Sequence, residues 1–241
     1  MKRVYTRVET RPVDGGRGEG GWGVALDGKK LLTPGKNELV LPNAAFAAAI
    51  AAEWDAQREE IRPATMPLFR LAATAIDRTA AQRALVVCET AGYASTDLLC
   101  YRADHPPALM ARQQAAWQPL IDWAALRYDS VLAVTSGIVP VRQSPATLGA
   151  FAAIVAAQDE FRLTALHNLT AASGSLVIAL ALIEGRLDAE AAFATSQLDE
   201  TFEIEAWGED SEAAARRRNI AADIAAAARF IALLEPTRRV G

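Results

Sequence analysis

Paired carboxylates are the commonest chemical groups in this sequence that could act together. Glu53 lies near Asp55, and Asp199 adjoins Glu200. Two such groups facing each other across a cleft could cleave a glycosidic bond by acid–base chemistry, but spacing alone does not bring them face to face. The two histidines, His105 and His167, stand far from each other and from any cysteine at ligand spacing. A zinc site is therefore not expected; His105 reads as a loop residue and His167 as a packing residue. Gly16-Arg17-Gly18-Glu19-Gly20-Gly21 matches the dinucleotide-binding pattern by letter. That fingerprint needs a strand before it and a helix after it, whereas Trp22 to Leu26 reads as a strand, so the glycines are expected to form a hairpin loop. Ser173-Gly174-Ser175 is not a nucleophile elbow and reads as a helix start or a close helix crossing. No phosphate-binding loop of the Walker type is present. No catalytic constellation, metal or cofactor is expected.

A charge pattern offers more than these groups do. From Leu187 to Ala215 there is no Lys or Arg, while Asp188, Glu190, Asp199, Glu200, Glu203, Glu205, Glu209, Asp210 and Glu212 all fall there; Arg216, Arg217 and Arg218 follow. Helix dipoles favour acids in a first turn, which accounts for Asp188, Glu190, Asp210 and Glu212. Read as one helix capped by Asp188 and ending at Trp207 and Gly208, the segment places Asp199 to Glu205 late, against the dipole. An acidic face of this kind can steer a basic partner; a solvated helix face is the alternative.

These residues need a scaffold. The chain has 241 residues, 51% hydrophobic and 22% charged, enough for a sizeable core in one large domain or two modest ones. A net charge of −4 argues against nucleic-acid binding. The longest strongly apolar run, Leu176 to Ile183, is too short to span a bilayer and reads as a buried helix. The N-terminus lacks the apolar core of a signal peptide, and two isolated cysteines fit a reducing compartment.

Strands are expected before Pro42, with Asp27-Gly28 turning a hairpin. Asn43 is placed to cap a helix carrying Phe46, Ile50 and Trp54 on one stripe. Pro119 should kink or split the helix running from Pro107 to Tyr128. From Pro145 onward the pattern is helical. Its last helix is expected to begin at Ser211 and to carry Ile220, Ile224, Ala227, Ile231 and Leu234 on one face. The fold class is α+β: a small β-containing N-terminal domain with helices, residues 1–105, and a larger all-helical C-terminal domain, residues 106–241.

Glu53-Trp54-Asp55-Ala56-Gln57, followed by Ile61, Pro63 and Met66-Pro67, resembles the E-W-D-x-Q … I-x-P-x-x-M-P signature of the F1-ATPase assembly chaperones that attend the alpha subunit. Asp97 to Arg102, Gln113 with Trp117, Pro119 and Trp123, Gly174-Ser175-Leu176, and Leu198-Asp199-Glu200 with Trp207-Gly208 fit in the same order. The resemblance spans nearly the whole chain. It implies no catalytic activity and transient binding of the unassembled F1 alpha subunit. A monomer is expected, with no nucleic acid and no membrane insertion, as charge and hydropathy already indicate. The resemblance also implies a bacterial cytoplasmic location, or the mitochondrial matrix for eukaryotic relatives. An acidic residue of the Leu-Asp-Glu segment, Glu200, is its implied functional residue, with Asp199, Glu203 and Trp207 beside it as partner-binding candidates. Glu53, Trp54, Asp55, Gln57, Pro63 and Pro67 form the structural motif. Glu203 is a departure, since Gln is expected there in many relatives of that family, and it makes this surface more acidic. A carboxylate-based hydrolase and a stable helical adaptor are the competing readings.

Overall fold

The computed structural model describes residues 2–14, 20–137 and 139–235. Strands β1 (Val8–Val13), β2 (Gly21–Leu26) and β3 (Lys29–Lys30) form an antiparallel sheet in the order β1-β2-β3. Asp27 and Gly28 turn β2 into β3 with φ of 48° and 76°. Two successive positive φ values match the right-handed strand twist, and glycine adopts its share without strain. The glycine-rich loop expected before β2 falls largely on residues 15–19, outside the described residues.

Asn43 accepts the Phe46 N–H at 2.8 Å and caps α1 (Ala44–Asp55), which packs on β1 and β2. A 3-10 turn at Pro63–Thr65 leads into α2 (Pro67–Thr74), and a π-helical segment, Ala75–Thr79, extends it. α3 (Arg83–Gly92) follows, then a 3-10 turn at Leu98–Cys100 and β4 (Tyr101–Arg102). α4 (Pro107–Tyr128) runs unbroken through Pro119, so the expected split does not occur. Pro119 and Ala115, whose carbonyl the proline leaves without its helical donor, both lie on the exposed side of α4, where water can serve that oxygen.

β5 (Thr135–Ser136) pairs in parallel with β4. The remainder is helical: α5 (Pro145–Ala156), α6 (Glu160–Ser173), α7 (Leu176–Ile183), α8 (Ala189–Ser196), α9 (Leu198–Trp207) and α10 (Ser211–Leu234). α7 is buried from Leu176 to Leu182, as its unbroken apolar run requires. No helix among the described residues is long and apolar enough to cross a membrane.

Two compact units result, and neither is one continuous stretch of chain. The first takes residues up to Arg83, Asp159–Ala165 and those from Arg229 on; the second takes Ala84–Gln158 and Leu166–Ala228. A single cut at residue 105 does not describe this division. The reason lies in an aromatic cluster of the first unit. Phe46 of α1 meets Phe230 of α10 edge-on at 4.8 Å and Phe161 of α6 at 6.2 Å. Asn43 also donates to the Leu233 carbonyl at 2.7 Å. Residues distant in sequence thus complete the core on which the N-terminal sheet and α1 depend. In the second unit, α7 packs against α4 and α8. There the fully buried Asp97 accepts from the Leu99 and Val177 N–H groups and the Ser175 hydroxyl, at 3.0, 3.1 and 2.7 Å.

Candidate functional site, the α9 face

The segment expected to be one helix from Asp188 to Trp207 is two. Gln197, with φ −106° and ψ 21°, closes α8 and opens α9. The Ser196 hydroxyl donates to the Phe193 carbonyl at 2.9 Å, a local bond that competes with continued helix. The break corrects the electrostatic reading. Asp199 and Glu200 lie in the first turn of α9, where the dipole favours them. The start of α10 is also shifted: Asp210, not Ser211, accepts the Glu212 and Ala213 N–H groups, at 2.8 and 2.9 Å.

Arginines from other helices meet three of the acids, Glu200, Glu205 and Glu209. Arg216 of α10 reaches Glu200 at 2.6 Å, and Arg217 contacts Glu200 at 3.9 Å and Glu209 at 3.3 Å. Arg217 also donates to the Thr201 hydroxyl at 3.0 Å and lies 5.3 Å over the Phe193 ring. Arg112 of α4 pairs with Glu205 at 2.7 Å and sits 5.1 Å over the Phe202 ring. The hydrogen bond from Arg112 holds the Glu205 carboxyl below its ordinary range, and the bond to Glu200 raises Arg216. The acids of α9 and the bend after it are therefore partly neutralised in place.

Asp199 faces inward. It accepts from Gln113 Nε2 at 2.8 Å, and the amide oxygen of Gln113 accepts the Ala103 N–H at 2.8 Å. Arg102 donates to the Gln113 carbonyl at 3.0 Å and stacks 5.3 Å from the Trp117 ring, whose indole N–H donates to the Thr195 carbonyl at 3.0 Å. Asp199 thus anchors the start of α9 on α4 through a continuous polar network. Gln113 and Trp117 were legible as motif residues, but nothing in their spacing showed that they pair with Asp199 and Thr195.

Two of the four candidates remain outward. Glu203 is exposed with no ion pair among the described residues. Trp207, at the end of α9, is 88% exposed. No residue of α9 is fully buried, although it carries Leu198, Phe202, Ile204 and Trp207.

The other motif residues gather in the first unit. The Glu53 carboxylate accepts the Leu68 and Phe69 N–H groups, both at 2.8 Å, satisfying the start of α2 behind Pro67. Burial nonetheless raises its pKa, against those two bonds and the charge of Arg229. Gln57 donates to the Glu53 carbonyl at 2.9 Å and the Thr65 hydroxyl at 3.1 Å, and accepts the Arg62 N–H at 2.7 Å, bracing the turn that holds Pro63. Asp55 pairs with Arg3 at 3.4 Å. Trp54 packs against Tyr5 and Phe69 at 5.8 and 5.1 Å. His167 contacts Thr90 at 3.0 Å, and His105 is exposed. Among the described residues no cluster could hold a metal ion.

The profile of the ATP12 chaperone protein family matches residues 2–125. The solved structure of Atp12 from Paracoccus denitrificans is 45% identical, with 97% of this chain and 98% of that chain covered and a TM-score of 0.90. A point mutant of the same bacterial protein gives 44% identity, the same coverage and a TM-score of 0.90. The mitochondrial protein atp12 of Schizosaccharomyces pombe is 23% identical over 77% of this chain and 68% of its own length. Motif order, fold and these likenesses agree: the chain belongs to the ATP12 chaperone family.

Proposed function

We propose that this chain binds the unassembled alpha subunit of F1-ATPase through the outer face of α9, prevents its aggregation during F1 assembly, and catalyses no reaction. The observation that carries the reading is Trp207. Trp207 is left 88% exposed at the end of a helix without a buried residue, and tryptophan is the side chain most enriched among interface anchors. Glu203 lies one helical turn before it and is free to meet a basic side chain of the client. Asp199 and Glu200 position this surface: the first fixes α9 to α4, the second fixes it to α10. Binding is favoured over hydrolysis because the carboxylates that sequence pairs together have other tasks. Glu53 caps α2, Asp55 meets Arg3, Asp199 meets Gln113 and Glu200 meets Arg216.

The reading is tested by capture from a lysate with this chain as bait. The expected result is enrichment of free alpha subunit and absence of the chain from assembled F1. Stoichiometric retention in the mature complex would instead support a stable adaptor, and failure to capture alpha subunit would contradict the proposal.

A further inference from the structure

Within the first unit, Trp54, Ile61, Met66 and Phe69 share an open groove of about 740 Å³ with Leu32 and Arg70. This volume is in the range of sites that accept a ligand or a peptide side-chain cluster. Its base is apolar: Trp54 and Met66 are buried beneath it, and Leu32 stands at its edge 46% exposed. The polar groups around this base are one carboxylate, two guanidinium groups and two threonine hydroxyls. The carboxylate of Asp77 is occupied internally, accepting from the Thr33 hydroxyl at 2.6 Å, the Gly35 N–H at 2.7 Å and the Asn37 amide at 2.8 Å. Those bonds hold its pKa below the ordinary value despite some burial. Arg70 is exposed and makes no ion pair among the described residues, whereas Arg78, also in the lining, has an interaction partner of its own. The indole N–H of Trp54, in a side chain 6% exposed, has no hydrogen-bond partner. A buried unpaired donor is costly and is relieved by an acceptor.

The groove therefore offers apolar surface and an exposed cation in Arg70, while the one carboxylate in its lining is already hydrogen-bonded and a buried donor lies unpaired behind it. We infer that it is a docking site for an apolar peptide segment that carries a carboxylate. Apolar side chains would cover Met66 and Phe69, and the carboxylate would take a charge-assisted bond from Arg70. This chemistry is opposite in sign to that of Glu203 and Trp207, which suit a basic segment, so the groove is a separate site. The inference does not rest on the identity of the client.

The test titrates the full chain with the peptide acetyl-Leu-Phe-Glu-Leu-Asp-amide and with its counterpart bearing Lys at both acidic positions. The readout is the ¹⁵N–¹H signal of the Trp54 indole, assigned with Trp54→Phe. The expected result is saturable displacement of that signal by the acidic peptide and binding about tenfold weaker for the lysine peptide. Arg70→Glu, at an exposed position, should weaken the acidic peptide about tenfold. Thr74→Trp should block both peptides by filling the groove. Absence of saturation, equal binding of the two peptides, or unchanged affinity in folded Arg70→Glu would overturn the inference.

Discussion

Arg216 of α10 holds the Glu200 carboxylate of α9 at 2.6 Å, across the bend at Gly208. This pair changes the meaning of the acidic run. Glu200 is not an unpaired charge; it joins the first turn of α9, the helix that carries Trp207, to α10. Loss of the pair removes one tie between the first turn of α9 and α10, and a positive charge at position 200 would meet Arg216 and Arg217 with like charge.

Glu200→Lys should therefore lower the melting temperature slightly and weaken binding of free alpha subunit about tenfold, with Glu200→Ala weaker in effect. The charge-swapped double variant Glu200→Lys with Arg216→Glu should recover most of the affinity, because it restores the pair without restoring the original charge. Calorimetric titration and thermal melts on the same samples check this. If affinity stays at the single-variant level while the fold is intact, Glu200 contacts the client directly.

Trp54→Ala should cost roughly 3–5 kcal/mol, since the ring is buried between Tyr5 and Phe69. Urea unfolding gives the value. A loss below about 1 kcal/mol would show that the site collapses around the missing ring.

Asp97 is the buried carboxyl whose titration should be visible. Burial raises its pKa, although the Ser175 hydroxyl and the N–H groups of Val177, Leu99 and Leu176 favour the charged form. A folded pKa above the unfolded one means that the folded state binds the proton more tightly. The corresponding stability is full below the unfolded pKa, near 3.8, and is lost as pH rises through the folded value. Stability of the wild type relative to Asp97→Asn should thus increase as pH falls from neutral toward 4. A difference that is constant with pH, or that moves the other way, contradicts this assignment.

How far the sequence carried depended on the range of the interaction. The Asp27-Gly28 turn, the Asn43 cap and the buried α7 were legible because each rests on residues within one turn or on an uninterrupted apolar run. The break at Gln197 was not. Its flanking composition is helical on both sides, and the Ser196 side-chain bond that accompanies it carries no strong sequence signal. Pro119 misled for a related reason, since its cost in a helix depends on which side faces water. At the site, the acids were visible and so were Arg216 to Arg218, but their partnership required the chain to reverse direction after Gly208. Arg112 lies 93 positions before Glu205, beyond any periodicity argument.

Trp207→Ala should leave stability within about 0.5 kcal/mol of wild type, as for other exposed positions. It should weaken client binding more than tenfold, as loss of an aromatic anchor does. Equilibrium unfolding and titration with free alpha subunit separate the two effects. Unchanged affinity would remove Trp207 from the contact surface.

Light scattering of isolated F1 alpha subunit, diluted from denaturant with and without this chain, addresses the central claim most directly. Wild-type chain should suppress scattering at near-equimolar ratio, and the double variant Trp207→Ala with Glu203→Lys, equally folded, should not. Undiminished aggregation with the wild type, or equal protection by the double variant, would contradict a chaperone that holds this subunit through α9.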